Sequence, residues 1–298
     1  MDIRLLRREE IDKTKWNSCI HYAFNGNIFG YMWYLDAMAR DWDALVMDDY
    51  AAVLPLPRVA GRWGRTRIQQ PPLTRELAIY AIDPPSDKRI NSFWEALATH
   101  YPEVELTVDS FGQVRKAGWH NTTATNYFLP LADRYENLRE RYSPTLLEQL
   151  SAAATQSWMS VSNLKPEVVA EKYRQAHPHI SEAVFHGLQR IMYNVLHRGW
   201  GFVSGITDGQ SEILAADFFI FSHGRMMSLA PFASERGKEI HAQAFLYDLI
   251  IRQQAGKPQS LDFNAHEDFA AFAEQFGAID YPYYHVASPK RVGLAKFF

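Results

Sequence analysis

A carboxylate inside an apolar strand is a costly placement, and Asp217 makes one. It interrupts the run Ile213 to Phe221, which otherwise holds only Ile, Leu, Ala and Phe. A carboxylate so placed serves as a proton acceptor, or it is simply an outward-facing strand residue. Asp262, in Ser260-Leu261-Asp262-Phe263, and His241, in a helical stretch, are further titratable candidates. Tyr281 and Tyr283 share one face of a strand and Tyr284 opposes them, so a phenol there either delivers a proton or packs. Gln70 stands before Pro71, where a proline break exposes backbone and side chain together and suits a polar contact. Tyr34 and Trp33, on an aromatic helix, line a pocket or build core.

Other chemistries lack their residues. No Gly-x-Ser-x-Gly elbow, P-loop or dinucleotide-binding glycine fingerprint occurs. His177-Pro178-His179 has proline between its histidines and reads as a loop, so no metal is expected. The single cysteine, Cys19, falls in an amphipathic helix as a buried hydrophobe and leaves no thiol for a disulfide. The 298 residues carry a formal charge of −3, which speaks against a nucleic-acid binder. The N-terminus is charged throughout, and no apolar run is long enough to span a bilayer. The expectation is a reduced, cytoplasmic, soluble protein with no membrane partner. Aromatic residues reach 14%, with 18 Phe, 15 Tyr and 8 Trp, enough for two cores or for ring-lined pockets.

These residues need elements to position them, and the chain supplies an alternating set. A strand at Asp2 to Leu6 precedes a helix capped by Asp12 and an aromatic helix from Tyr31 to Arg40. Asp43 to Met47 and Tyr50 to Leu56 form a hairpin, whose second strand Pro55 and Pro57 should end or place at an edge. A helix over Lys88 to His100 and strands at Val104 to Val108 and Thr125 to Leu131 complete the first half. The second half opens with a helix after Ser143-Pro144, then a short strand at Trp158 to Ser162 and helices from Pro166 and Ser181. Strands at Gly201 to Ile206, Ile213 to Phe221 and Met226 to Phe232 are joined by the turns Asp208-Gly209 and His223-Gly224. A helix through Ile240 to Ile250, the strand Ser260 to Phe263, a helix from His266 to Gln275 and a tyrosine-rich strand follow. The two halves repeat one order of elements. This predicts an α/β (α+β) protein of two tandem domains, 1–133 and 134–298, each a mixed, largely antiparallel sheet flanked by helices.

That order resembles the GNAT acyl-CoA N-acyltransferase fold present twice, as in Fem-type aminoacyltransferases. The stretches Trp33-Tyr34-Leu35-Asp36, Trp42-Asp43-Ala44-Leu45-Val46, Val53-Leu54-Pro55-Leu56-Pro57 and Gln70-Pro71-Pro72-Leu73-Thr74 are similar to a bacterial Fem-like branch. Leu261-Asp262-Phe263 and Phe276-Gly277-Ala278 continue the likeness. The resemblance implies transfer of an acyl or aminoacyl group from a thioester or other activated donor to an amine. It implies an acyl-CoA donor site in the second half, with Ser234, Arg236, Gly237 and Lys238 at the phosphate junction. Asp217 would then be a base, Tyr281 a proton donor to the leaving thiolate, and Tyr34, Gln70 and Asp262 substrate contacts. The junction has one glycine and an opposing Glu235, and around Thr74-Arg75-Glu76 the first half has none. Fem-like relatives often carry a basic helix where this chain has Thr145 to Ser151 without Lys or Arg, so a small or neutral amine acceptor is expected. The alternative is a catalytically degenerate tandem protein that binds a small ligand or a protein partner. Oligomeric state stays open.

Overall fold

Short polar side chains set in front of apolar runs start most of the longer helices. In the computed structural model, which describes residues 2–61, 64–156, 160–162, 164–210, 212–264 and 267–289, Asp12 accepts from the backbone N–H groups of Thr14 and Lys15. Ser86, Ser143 and Ser181 cap their helices in the same way. Each cap satisfies amides that the helix itself cannot pair.

The chain divides into two units by its internal contacts. The first is Met1–Ala124 with Pro282–Phe298, and the second is Thr125–Tyr281. The first runs β1 (Ile3–Arg7), α1 (Lys13–Tyr22), α2 (Met32–Met38), β2 (Asp41–Met47), β3 (Ala52–Ala60), β4 (Thr66–Gln69), β5 (Tyr80–Ala81), α3 (Asp87–His100) and β6 (Val104–Val108). The chain passes along β7 (His120–Pro130) into the second unit. There follow α4 (Tyr135–Arg139), α5 (Pro144–Ala154), β8 (Ser160–Ser162), α6 (Pro166–Ala176), α7 (Glu182–His197), β9 (Gly201–Thr207) and β10 (Ile213–Ser222). Then come β11 (Arg225–Ser228), β12 (Phe232–Ala233), α8 (Glu235–Glu239), α9 (Ala242–Gln254), β13 (Ser260–Asp262), α10 (Glu267–Gln275) and β14 (Ile279–Ala287). Residues Trp158 and His266, at the starts of two expected elements, lie outside the described residues. The expected division at 133/134 differs from this one: the second unit begins at Thr125, and β14 pairs with β6, Tyr284 opposite Val108, which returns the strand from Pro282 to the first unit.

Each unit holds a mixed sheet. The first has the order β1-β2-β3-β4-β6-β14, antiparallel except where β4 meets β6. The second has β7-β13-β11-β10-β9-β8, antiparallel except where β11 meets β13. Pro55 and Pro57 were expected to end β3 or mark an edge, yet they sit within it, opposite Ala44 and Trp42. On its other side β3 pairs β5 only at Ala52 and Val53, and β4 only from Arg58. The two prolines fall in the gap, where a missing N–H breaks no ladder.

The aromatic surplus fills both interiors. Trp16 and Trp42 pack with ring centroids 5.1 Å apart in the first unit. Tyr247 of α9 is ringed by Phe219, Phe263, Phe269, Phe272 and Phe276 in the second. Cys19 is buried as expected, its thiol pushed up to about 12 by burial, which removes it as a nucleophile at neutral pH.

Two buried carboxylates tie the first unit together. Asp43 of β2 is fully buried and receives Arg7 of β1 at 2.9 Å, Arg58 of β3 at 3.3 Å, and the Tyr101 hydroxyl. Asp109, just past β6, accepts from Asn25 Nδ2 at 2.8 Å, and Asn25 also donates to Ile79 O at 3.1 Å. Burial pushes the Asp109 carboxyl up to about 7, with Glu76 adding repulsion and Asn25 opposing it. The unfolded chain releases this proton near pH ~4 and the native state only near 7, so this group makes stability fall as pH rises between those values. Thermal melts should lose in Asp109→Asn the fall in stability that runs from about pH 4 to about pH 7 in the wild type; an unchanged profile would mean the native carboxyl is ionised throughout.

Candidate functional site

Two of the sequence candidates converge. On β7, β13 and β11 the register sets Phe128 opposite Asp262, and Asp262 opposite Met227. Side chains alternate along strands, so Asn126, Asp262 and Arg225 share one sheet face. Asn126 Nδ2 donates to Asp262 Oδ1 at 2.8 Å and to the Tyr281 hydroxyl oxygen at 2.9 Å. Arg225 Nη1 donates to that same phenol oxygen at 2.9 Å and lies 3.3 Å from Asp262 Oδ2. The backbone N–H of Asn264 adds a third donor to Asp262 at 2.8 Å. The guanidinium also stands 5.2 Å from the Tyr281 ring centroid, and Phe128 meets that ring edge-on. Asn126 and Asp262 are buried, while the Arg225 side chain is 42% exposed.

Asp217 stands apart from that cluster, on the opposite sheet face. It belongs with Ser228, one residue beyond Met227, and strand alternation separates the two sides. Its Oδ1 accepts from Phe218 N at 2.7 Å and Ala230 N at 3.0 Å, and its Oδ2 from Ser228 Oγ and Tyr247 OH, each at 2.6 Å. Burial pushes this carboxyl up to about 6 and the four donors pull against that rise. It is fully buried, and every oxygen is spoken for by the protein. A base needs a lone pair facing the substrate, and this geometry gives Asp217 a different task.

The junction after β12 is built as a capped first turn. Ser234 Oγ accepts from Gly237 N at 3.0 Å, Ser234 O accepts from Lys238 N at 2.9 Å, and Ser234 N donates to Leu214 O. Arg236 reaches Asp208 at 2.8 Å and Glu212 at 3.0 Å, and Lys238 pairs with Glu235 at 2.6 Å. Gly237 is required by packing, since a Cβ there would lie 1.9 Å from the Leu214 carbonyl oxygen. His241 takes a left-handed backbone, φ 58°, as the joint between α8 and α9. In the first unit, Tyr34 is fully buried and its hydroxyl donates to the carbonyl of Leu73. Gln70 Nε2 donates to Thr74 O at 2.7 Å, while its Oε1 accepts from Thr107 N at 3.0 Å.

Among the described residues, no three His, Cys, Asp or Glu side chains are grouped to hold a metal, and no helix is long and apolar enough to cross a membrane. No protein-family model and no curated protein sequence matches the chain. Solved structures do. FemX superposes with a TM-score of 0.65 at 8% identity, over 95% of this chain and 97% of that one. L-PGS from Bacillus licheniformis gives 0.55 at 12% identity, over 95% and 94%. A tandem GNAT protein from the clavulanic acid biosynthesis pathway gives 0.51 at 10%, over 96% and 98%. This is the tandem GNAT/Fem-like fold.

The GNAT-like strand pair is treated differently in the two units. In the second, β11 and β13 run parallel only from Arg225 opposite Ser260 to Met227 opposite Asp262. Beyond that point β12 pairs with β10, while Phe263 N turns to Tyr127 O of β7. The two strands therefore separate. In the first unit β4 and β6 are parallel at Ile68 and Gln69, and Gln70 then bonds Thr107 across the opening. Leu77 rejoins at Val108, so that opening is closed by the chain itself.

Sequence reading missed Asn126, Arg225 and Tyr247. Asn126 lies 136 positions from Asp262, and no local spacing announces such a contact. The cavity lined by Tyr135, Arg139, Leu150, Phe245 and Asp248, about 810 Å³, contains none of the sequence candidates. Because Gly237 is held by packing, Gly237→Ala should cost about 1–3 kcal/mol in urea unfolding; a neutral result would mean α8 can lift off β10 freely.

Proposed function

We propose that this chain is an N-acyltransferase, moving an acyl or aminoacyl group from a thioester or other activated donor to the amine of a small or neutral acceptor. The observation that carries this reading is the separation of β12 from β13 in the second unit, with Tyr281, Asn126, Arg225 and Asp262 grouped where the strands part. A strand edge that has lost its neighbour offers backbone N–H and C=O groups to an extended donor arm. The self-closed opening of the first unit favours the second as the donor unit.

In the reaction the amine nitrogen attacks the acyl carbon, the bond from that carbon to sulfur or oxygen breaks, and the amide forms. The leaving thiolate or alkoxide takes the Tyr281 proton, and the nitrogen's surplus proton restores the phenol. Asn126 and Arg225 hold the phenol oxygen in place, and Asp262 anchors both of them. The low net charge and the absence of Lys or Arg from Thr145 to Ser151 favour a neutral acceptor over a polyanion. The lone, buried Cys19 suits a reducing cytoplasmic setting.

A second reading, a silent binding protein, draws on one observation: Arg236 is neutralised by Asp208 and Glu212 where a donor diphosphate would need it. Calorimetry with acetyl-CoA, longer acyl-CoAs and free CoA, followed by a thiol-release assay over an amine panel, separates the two. Saturable binding with turnover is expected, and Tyr281→Phe should lower turnover by about 10²–10⁴ while leaving donor affinity near wild type. Failure of every thioester to bind would remove the acyl-CoA donor, and binding without turnover would favour the silent protein.

A further inference from the structure

Asp217 offers no oxygen to a substrate, yet four donors engage it. The reason lies in the ladder opposite it. Ser228 pairs with Phe219, and the next registered pair is Phe232 with Ala216. Leu229, Ala230 and Pro231 therefore face only Asp217 and Phe218, which makes a bulge with one residue too many. Leu229 N still finds Phe218 O at 2.9 Å. The amide of Ala230 finds no ladder carbonyl, and it is Asp217 Oδ1 that accepts it at 3.0 Å.

The other carboxylate oxygen carries the connection onward. Ser228 at the end of β11 and Tyr247 of α9 both donate to Oδ2. The Tyr247 ring is buried and lies flat against Phe263, with centroids 5.7 Å apart and planes 13° apart. Phe263 directly follows Asp262, at the point where β13 leaves β11. One carboxylate thus fixes the bulge, the end of β11, and, through a single ring, the strand that departs. Of the other ionisable groups around it, Tyr173 of α6 feels its charge.

We infer that Asp217 is a positioning residue for the donor opening: by accepting the Ala230 amide it holds the bulged backbone of residues 229–231 where β12 turns away from β13. This inference rests on the acyl-transfer reading for its meaning, but its geometry stands independently. It also separates Asp217 from the role of base, because the acceptor oxygen is what matters and the negative charge is replaceable. An asparagine retains one carbonyl oxygen for Phe218 and Ala230, and its NH₂ group can donate to Ser228 and Tyr247, whose hydroxyls both accept.

The test compares Asp217→Ala, Asp217→Asn and Ser228→Ala by amide hydrogen exchange resolved at Ala230 and by acetyl-CoA calorimetry. In Asp217→Ala, exchange at Ala230 should accelerate by about 10- to 100-fold beyond any change in the amides of α9, and acetyl-CoA affinity should fall about tenfold or more. Asp217→Asn should rescue both to within about threefold. Ser228→Ala, which keeps the Oδ1 contacts, should keep Ala230 protected. Should Asp217→Ala fail to fold, the asparagine variant still decides: loss of Ala230 protection in it overturns the inference. Protection of Ala230 in a folded alanine variant overturns it equally. If the wild-type protein binds no acetyl-CoA, the acyl-CoA reading fails, and the exchange comparison alone judges the positioning role.

Discussion

A β-ladder interrupted inside a buried sheet leaves polar backbone groups that must find other partners, and both halves of this protein are organised around that requirement. In the second unit the extra residue at the bulge frees the Ala230 amide, and Asp217 receives it. In the first unit the chain leaves the ladder after Gln69, and the Gln70 side chain bonds Thr107 in place of the missing strand. A carboxylate and a primary amide thus do the work of peptide groups. The same need explains why a charge is tolerated in the run Ile213 to Phe221: four donors surround it, and an unpaired carboxylate there would not remain charged.

The two solutions have opposite consequences for ligands. Gln70 and Leu77 together close the opening in the first unit, and the residues from Thr74 to Ala81 are buried behind it. In the second unit the staple acts from the far face of the sheet, on the side of α9, and leaves the parted strands unbridged. The face carrying Asn126, Asp262 and Arg225 is thereby released from structural duty at the bulge. Its polar network is internally neutralised, guanidinium against carboxylate, and directs two donors at one phenol oxygen.

Charge elsewhere follows the same economy of local pairing. Arg236 and Lys238 have the signs a phosphate site requires, but Asp208, Glu212 and Glu235 take them up. A glycine beside them suggests close backbone approach by a ligand, and the approach is real, though the neighbour is the carbonyl of Leu214. The partners of Arg236 and Gly237 lie far off in the chain or in the backbone, so neither composition nor order reveals them.

The alternation of helices and strands, the repeated order in two halves and the destination of most aromatic residues are legible in the residues alone, because they depend on local caps, periodicity and hydrophobicity. The sequence also marked Asp217, Asp262, Gln70 and Tyr281 as residues whose polarity needed a reason. Those reasons came from strand pairing and packing. Pro55 and Pro57 could remain inside β3 because β4 and β5 leave a gap beside them, and β14 went to the first unit's sheet because it found β6. Asp217 and Asp262, similar as isolated strand acids, were separated by register: one residue's difference along β11 sends their partners to opposite faces of the sheet. Register is a property of paired strands, so neither strand's own residues contain it.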